Sequence, residues 1–459
     1  MNNYEQYKRL VKLLSSLVIV ILEVFIYWEV WTRFYNKILE FPFWRRGNWL
    51  MVAFYGVMLL AFLKIYGGLK IGYLKKGNII ISQILSIILT NFITYIQIAL
   101  LDKRFHIPYI IFLMTIADIF LIIVWVFIFQ WVYTKMFPPR KLLVVYGKYP
   151  IFHIMDKINA RDDKYQVGGA IDITQGITNI INIAKEYDGI VIGDVPVQER
   201  NALFKECYDK DIRVYIIPKI SDILIRNSTE LNLFDTPLLL SRNREPNFEQ
   251  KIIKRLMDIL FSLIGIILVF PLMLLIGIAI KLEDGGDVIY KQERYTINKK
   301  IFEIYKFRSM TSDAEKDGVA RLAQQKDDRI TRVGKFLRST RLDELPQLIN
   351  ILKGDMSLVG PRPERPEIAE IYEKDIPEFS FRLKVKAGLT GYAQLYGKYN
   401  TNPYDKLKLD LTYISKYTIL LDLKLIFMTP KILLIKESTE GVAGGQTTAT
   451  IEEYYIDKR

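Results

Sequence analysis

The residues that could do chemistry are concentrated in one stretch, GKFLRSTRLDELPQLINILKGDMSLVGPRPERPE, at positions 334–367. Asp343 and Glu344 are adjacent in it. Five cations accompany this pair in the same part of the sequence: Lys306, Arg308, Arg338, Arg341 and Arg362. Guanidinium groups match phosphate oxygens two at a time, and a carboxylate among cations can hold Mg²⁺ or attack phosphorus. The pattern favours phosphoryl chemistry on a diphosphate.

A structural explanation of the same two acids stays open from the residues alone. Carboxylates at a helix start satisfy free backbone amides and the helix dipole, and the LINIL run after Pro346 predicts a buried helix. Gly360, Pro361 and Pro363 predict a stiff turn that would aim Arg362.

Composition excludes several other kinds of site. Cys207 is the sole cysteine, and His106 and His153 are the only histidines. An intramolecular disulfide and a CxxC metal site are therefore excluded, and a histidine-based zinc site or Ser-His-Asp triad is not expected. The chemistry must depend on carboxylates, Lys, Arg, Tyr or a hard cation.

The elements that position these residues include membrane segments. The chain has 459 residues, of which 51% are hydrophobic, and apolar windows of spanning length lie near 10–31, 49–66, 79–101 and 108–133. Basic residues at the N-terminus, in the second loop and after the fourth window predict a cytosolic N-terminus and a chain that returns to the cytosol.

A small α/β domain is predicted after the fourth window. KLLVVYG (141–147), GGAID (168–172), GIVIGD (189–194) and VYIIP (214–218) are short apolar runs typical of buried parallel strands, with helices expected at 174–187 and 197–210. The first strand is followed by YGKYP and not by GxGxxG, so the fingerprint of a dinucleotide site is missing. A structural or regulatory module is favoured over nucleotide binding.

A fifth apolar segment, residues 256–282, contains Pro271. Proline removes a backbone donor and kinks a helix. A straight span and a kinked helix that re-enters on the same side both fit the residues, because both flanks are basic.

These motifs together resemble the monotopic phosphoglycosyl transferases, the bacterial sugar transferase family. The resemblance is carried in order by KRLMDILFSLIG, YKQER, YKFRSM, LRSTRLDELPQLINILKGDMSLVGPRP, VKAGLTGYAQLYGKYNT and LDLKLIFMT. It covers about 40% of the chain, and the front half is similar to the long form of the family. It implies a membrane protein of α plus α/β class, with a four-helix transmembrane bundle, a Rossmann-like domain and a mainly α catalytic domain. The expected domains are residues 1–137, 138–250 and 251–437, with a tail at 438–459.

The resemblance also implies a mechanism. Asp343 would attack the sugar-linked phosphate of a UDP-sugar and release UMP, and undecaprenyl phosphate would take the sugar phosphate from the aspartyl intermediate. Glu344 would assist, and Mg²⁺ would bind at Asp343. Arg338 and Arg362 would clamp phosphates, with Lys306, Arg308 and Arg294 as further phosphate ligands. The apolar segment would re-enter the membrane and break at Pro271.

The chain departs from the family pattern at a few positions. Phe270 stands where Ser often precedes the breaking proline, and Thr296, Lys299 and Lys386 replace common residues. Tyr392, Tyr396 and Tyr399 could shape a sugar or uridine pocket or pack at the membrane surface.

The excess of basic residues gives a net charge of +13. Much of it flanks apolar segments, which favours membrane lipid as the partner over nucleic acid. DKLKLDLTYISKY (405–417) could be an interfacial helix. The expected location is the bacterial inner membrane, multi-pass, with the catalytic domain on the cytosolic face. A homodimer and downstream glycosyltransferases are compatible partners.

Two other functions compete with this interpretation. A catalytically idle membrane scaffold or sensor would recruit glycosyltransferases, but the intact Asp-Glu pair and GPRP argue against it. A nucleotide-sugar dehydratase or epimerase would need the dinucleotide fingerprint that is missing after residues 141–147.

Overall fold

A computed structural model describes residues 5–147, 152–241, 246–311, 329–397 and 401–433. The chain forms two compact units, Met1–Ile217 and Pro218–Arg459. The expected tail at 438–459, Tyr399 and the last three residues of YGKYP lie outside the described residues.

Long apolar helices dominate the first unit. They are α1 (Lys8–Val30), continued by a π-helical turn (Trp31–Tyr35) and α2 (Asn36–Ile38), then α3 (Arg45–Tyr66), α4 (Lys76–Asp102) and α5 (Tyr109–Met136). These helices coincide with the four apolar windows and pack on one buried cluster that includes Tyr27, Tyr55, Leu59, Ile87 and Ile122. Within the described residues, five helices are long and apolar enough to cross a membrane, and the fifth is Phe248–Asp284.

The packed faces of these helices carry polar side chains. The Tyr55 hydroxyl donates to Asn91 Oδ1 at 2.8 Å, and Asn91 Nδ2 donates to Thr115 Oγ1 at 2.9 Å and to Asp118 Oδ2 at 3.1 Å. Glu23 and Asp118 are fully buried. Glu23 and Asp118 therefore face neighbouring helices. The hydrogen bond from Asn91 offsets part of the desolvation of Asp118, whereas neither carboxylate oxygen of Glu23 has a hydrogen-bond partner among the described residues.

The rest of the first unit is the predicted α/β domain. Its strands are β1 (Arg140–Tyr146), β2 (Tyr165–Asp172), β3 (Gly189–Ile192) and β4 (Val214–Ile216), and its helices are α6 (Phe152–Asn159), α7 (Ile177–Ala184) and α8 (Val197–Asp209). The strands are parallel in the order β2-β1-β3-β4. Val144, Val145, Ile190 and Ile192 are completely buried. Continuous apolar runs are what a sheet covered on both faces requires.

The second unit begins before the boundary expected from sequence at residue 250. Helix α9 (Ile220–Ile225) is followed by a hairpin of β5 (Thr229–Leu233) and β6 (Thr236–Leu240). Ile220 and Ile223 belong to the main hydrophobic core of the second unit.

The remaining elements of the second unit surround the candidate residues. They are α10 (Phe248–Asp284), β7 (Ile289–Tyr295), β8 (Ile301–Phe307), α11 (Arg332–Thr340), α12 (Gln347–Lys353), β9 (Ser357–Val359), α13 (Pro366–Asp375), β10 (Gly388–Thr390), α14 (Tyr392–Tyr396), α15 (Pro403–Ser415) and α16 (Ile419–Leu433). Strands β7 and β8 form an antiparallel hairpin, whereas β9 and β10 pair in parallel. The buried helix predicted from LINIL is α12, in which Leu348 and Ile351 are buried.

The N-terminal part of α10 contacts other elements of the second unit. Lys254 Nζ lies 2.5 Å from Asp422 Oδ2, and Arg255 donates to the carbonyl oxygens of Ile351 and Leu352 in the last turn of α12, at 2.6 Å each. Cations at a helix C-terminus satisfy free carbonyl groups and oppose the helix dipole. Asp258 Oδ1 accepts from the Leu358 amide at 2.9 Å. The polar residues of the KRLMD motif thus fix α10 to α12, β9 and α16.

The C-terminal part of α10 contacts the same unit. Ile276 and Ile280 are buried in a cluster with Phe307 and Leu337. The helical backbone runs through Pro271 without interruption, so the break expected there is not seen in the hydrogen-bonded helix. Re-entry into one side of a membrane stays a prediction.

The apolar face of α15 lies inside the protein. Leu407 and Leu411 are at most 2% exposed, and Ile414 is also buried in the main core. The amphipathic pattern of residues 405–417 therefore serves packing within the second unit, and the interfacial helix suggested by the sequence is not supported, since this face is already covered.

Three glycines allow the backbone to cross itself beside Arg362. The Gly360 amide donates to the Thr390 carbonyl at 2.9 Å, and the Gly388 amide donates to the Pro361 carbonyl at 2.9 Å. A Cβ atom at Gly388 would overlap the backbone nitrogen of Gly360, and one at Gly391 would overlap its carbonyl oxygen. Only glycine permits this approach, which fixes the start of the GPRP turn.

We expect Gly388→Ala to destabilise the second unit by about 1–3 kcal/mol, because the methyl group must displace backbone. The matched change is Gly277→Ala in α10, where the nearest atom to an added Cβ is Val288 Cγ1 at 3.4 Å. That variant should be neutral or slightly stabilising. Thermal unfolding of the full chain in detergent would test both, and equal midpoints would contradict the proposed crossing.

Candidate active site

A tight turn presents the two carboxylates. Thr331 caps the start of α11 by accepting the Gly334 amide at 3.0 Å, and α11 ends at Arg341, whose φ of 56° is left-handed. The chain then forms a 3₁₀ turn, Leu342–Glu344, before α12. A left-handed non-glycine residue is unfavourable by itself and persists only where the surroundings impose it.

The leucines on either side of the carboxylates anchor this turn. Leu342 and Leu345 pack against the cluster that contains Ile276 and Ile280 of α10. The Asp-Glu pair is therefore attached to the apolar helix through its own neighbours. Neither acid caps α12, which begins after Pro346 without a side-chain cap. A side-chain cap on α12 therefore does not account for the two adjacent acids.

Glu344 is the most strongly neutralised group of the turn. Its side chain is buried, with Arg362 Nη2 at 2.7 Å from Oε1, Lys306 Nζ at 3.8 Å from Oε1 and Arg341 Nη1 at 4.0 Å from Oε2. Burial alone would raise the pKa of Glu344, but these cations hold it well below its usual value. Glu344 is therefore a carboxylate at neutral pH and acts as an anchor for cations.

Asp343 has the opposite environment. Burial and the neighbouring Glu344 charge raise the pKa of Asp343, although Lys306, Arg338 and Arg362 oppose this rise. Within the described part of the chain, Asp343 makes no hydrogen bond or close ion pair. The surroundings thus separate the pKa values of two adjacent acids and leave Asp343 as the more basic one. Such a separation is a known sign of different chemical roles.

Lys306, on β8, interacts electrostatically with both acids. Burial lowers the pKa of Lys306 to about 8, while Glu344 and Asp343 favour its charged form. Its charge therefore depends on pH within the range at which enzymes are assayed.

Arg362 is positioned by the turn that follows β9. Its carbonyl oxygen accepts from Arg382 Nη2 at 2.9 Å, and Arg382 is only 2% exposed. Arg382 also contacts Asp410 Oδ2 at 2.7 Å and Glu364 Oε1 at 3.6 Å, and Lys406 pairs with Glu364. This buried charge network, which the sequence did not single out, fixes the backbone from which Arg362 reaches Glu344.

Two of the predicted phosphate ligands have other partners. Arg294 donates to the Pro363 carbonyl at 3.2 Å and to Gln292 Oε1 at 2.5 Å, and burial lowers its pKa to about 10. It therefore binds the backbone of the GPRP turn, and its charge acts on Arg362 and Lys306. Arg308 pairs with Asp284 at the end of α10. The structure brings Lys306, Arg338, Arg341 and Arg362 around the acids and pairs Arg308 with Asp284 instead.

The positions that depart from the family pattern have structural partners. Lys386 Nζ donates to the Gly354 carbonyl at 2.7 Å, and the Thr296 hydroxyl donates to the Asp355 carbonyl at 3.0 Å. The Tyr392 and Tyr396 ring centroids are 4.4 Å apart, and the Tyr396 hydroxyl lies 3.7 Å from Met428 Sδ. These contacts favour packing roles for both tyrosines.

The carboxylates supply few ligands for a metal. Among the described residues, no group of three or more His, Cys, Asp or Glu side chains could hold a metal ion. Glu344 already binds cations, so Asp343 is the acid with free oxygen atoms. A single carboxylate fits Mg²⁺ when substrate phosphates and water complete the coordination.

Comparison with known proteins shows to which family the chain belongs. Residues 249–436 match the model of the bacterial sugar transferase family. The UDP-glucose:undecaprenyl-phosphate glucose-1-phosphate transferase of Caulobacter vibrioides is 39% identical over 190 residues, which cover 40% of this chain and 71% of the relative.

Two longer relatives are similar over smaller shares of their own length. The UDP-N-acetylgalactosamine-undecaprenyl-phosphate N-acetylgalactosaminephosphotransferase of Aeromonas hydrophila is 38% identical over 55% of this chain and 60% of the relative. The UDP-glucose:undecaprenyl-phosphate glucose-1-phosphate transferase of Klebsiella pneumoniae is 42% identical over 48% of each chain. The matched part thus spans about half to three fifths of these relatives. The chain belongs to the bacterial sugar transferase family.

Proposed function

We propose that this protein is a phosphoglycosyl transferase that moves a sugar-1-phosphate from a UDP-sugar to undecaprenyl phosphate. The reaction would start the repeat unit of an exopolysaccharide, capsule or O-antigen. The observation that carries the proposal is Asp343, a carboxylate of raised pKa beside an ionised Glu344 and among Lys306, Arg338 and Arg362. The names of the relatives supply the donor and acceptor classes.

In the first step, an Asp343 oxygen attacks the sugar-linked phosphorus of the UDP-sugar. The bond from that phosphorus to the bridging oxygen breaks, and UMP leaves with the electron pair. Lys306, Arg338 and Arg362 offset the negative charge of the diphosphate, which would otherwise repel a carboxylate nucleophile. The product of this step is a sugar phosphate bound to Asp343.

In the second step, a phosphate oxygen of the polyprenyl phosphate attacks the same phosphorus. The bond to Asp343 breaks and restores the carboxylate, and the product is a polyprenyl diphosphosugar. Glu344 is too acidic to donate a proton at neutral pH, so its role is to hold Arg362 and Lys306 in position. Mg²⁺ bound at Asp343 would supply charge neutralisation for the diphosphate.

The apolar helix α10 supplies access to a lipid acceptor. Leu342 and Leu345, on either side of the acids, pack on the helix cluster of Ile276 and Ile280, so the acids lie close to a helix that is long and apolar enough to cross a membrane. We propose that α10 re-enters the inner membrane from the cytosolic face, since both of its parts contact the same unit. Polyprenyl phosphate could then reach Asp343 from the bilayer.

Asp343→Asn should abolish transfer, by about 1,000-fold or more, because the amide cannot form the covalent intermediate. Incubation with a UDP-sugar labelled in the sugar and no acceptor should release UMP and leave label on residue 343 of the wild type, as mapped by peptide mass spectrometry. Glu344→Gln is the matched control. It should slow transfer yet still label Asp343, and label retained by Asp343→Asn would refute the nucleophile.

The pH dependence of kcat/KM should report the charge of Lys306. A lysine of pKa about 8 is charged below that pH and neutral above it, so kcat/KM should fall as the pH rises through about 8. Lys306→Arg keeps the charge over this range and should remove the fall. Lys291→Arg, at an exposed position of β7, should retain the wild-type profile. An unchanged alkaline fall in Lys306→Arg would exclude Lys306 as its cause.

A further inference from the structure

Two lysines meet at one tyrosine ring at one end of the long helices of the first unit. Lys12 Nζ, in the first turns of α1, lies 3.8 Å from the Tyr73 ring centroid and 5.5 Å from that of Tyr133 in α5. Lys164 Nζ, next to β2 of the α/β domain, lies 4.8 Å from the same Tyr73 ring. The start of α1, the α3–α4 loop, the end of α5 and the α/β domain therefore converge here.

The loop that carries Tyr73 is fixed from the α/β domain. Arg161 Nη1 donates to the Tyr73 carbonyl at 2.8 Å. The Arg161 guanidinium is itself neutralised by Asp163, with Nε 2.8 Å from Oδ1 and Nη2 3.1 Å from Oδ2. This ion pair thus helps to hold the loop, and it does not involve Lys12 or Lys164.

The lysine charges repel one another in a partly buried environment. The charges of Lys8, Lys164 and Arg140 act on Lys12. Burial and the Arg161 charge lower the pKa of Lys164. Contacts with aromatic rings offset only part of this repulsion, because exposed cation–π contacts are weak. A bound anion would offset it further.

We propose that Lys12, Lys164 and Tyr73 form a binding site for the phosphate group of a membrane lipid. Ammonium groups bind phosphate oxygens as point charges, and a tyrosine at the end of apolar helices is typical of the headgroup level of a bilayer. Leu13 and Leu17, on the same helix as Lys12, are 60% and 48% exposed and offer apolar surface to acyl chains. This surface favours a lipid over free phosphate.

The site is independent of the proposed reaction. It lies in the first unit and uses none of the residues around Asp343. It assigns to the first unit a role beyond anchoring, since a lipid held there would join α1, α5 and the α/β domain.

The test is lipid binding by the full chain in dodecyl maltoside, followed by native mass spectrometry and thermal unfolding. Phosphatidylglycerol, phosphatidylcholine, undecaprenyl phosphate and inorganic phosphate are titrated separately. Lys12→Gln with Lys164→Gln should weaken phosphatidylglycerol binding by about tenfold or more. The control removes two exposed charges from the same end of the helices, Arg9→Gln with Lys76→Gln, and should change binding by less than about threefold.

The lipid arms distinguish the source of the phosphate. Tight binding of phosphatidylglycerol indicates a phospholipid site, and preferential binding of undecaprenyl phosphate indicates that the site holds the polyprenyl lipid. Equal losses in the two double variants would mean general surface attraction and would overturn the proposal. Inorganic phosphate that binds as tightly as either lipid would also overturn it.

Two further variants keep the test valid if the glutamine variant folds poorly. Lys12→Arg with Lys164→Arg retains both charges and should retain lipid binding. Tyr73→Leu retains both lysines but removes the ring, and should weaken binding by about threefold. Full lipid binding by Tyr73→Leu would show that the ring is not part of the site. Loss of binding in the arginine variant would refute the argument that the two charges bind the phosphate.

Discussion

The surroundings give two adjacent carboxylates different pKa values, and the rest of the candidate site depends on this difference. Glu344 is neutralised by Arg362, Lys306 and Arg341, whereas Asp343 lies in the same buried turn without a close ion pair among the described residues. Two like charges side by side are unfavourable, and the cations outweigh the effect of burial on the pKa of Glu344 but offset it only in part at Asp343. The other acid stays basic and available. The arrangement requires that β8, the turn after β9 and the turn after α11 meet at one point.

Much of the second unit serves to bring β8 and these two turns together. The glycine crossing at Gly360 and Gly388 and the buried pair of Arg382 and Asp410 fix the backbone of Arg362. Breaking a buried ion pair on one side leaves an uncompensated charge and is strongly destabilising, so this network is a positional constraint on the site. Arg255 and Asp258 connect the same framework to α10. The apolar helix α10 and the GPRP turn are in this way parts of one packed framework.

The sequence predicted the elements whose patterns have a single physical explanation. The mostly apolar windows of spanning length formed long helices, and the short Ile and Val runs after residue 140 formed the parallel sheet. Patterns with two explanations were not resolved. An amphipathic pattern at residues 405–417 fits both a helix at the membrane surface and a helix packed on the core. Only the tertiary packing showed that Leu407 and Leu411 face the core. Lys306 and Arg308 looked equivalent, but β8 ends at Phe307, so their side chains reach different places.

By itself, the sequence determined the family, the α and α/β elements and the identity of the acidic pair with most of its cations. These depend on residue types and spacing, which are local properties. Only the tertiary structure decided which cations neutralise Glu344, that Arg341 is one of them, and that Arg294 and Arg308 bind elsewhere. The same holds for the convergence of Lys12 and Lys164 on Tyr73. Long-range electrostatic partners depend on where distant segments meet, and no spacing along the chain encodes that distance.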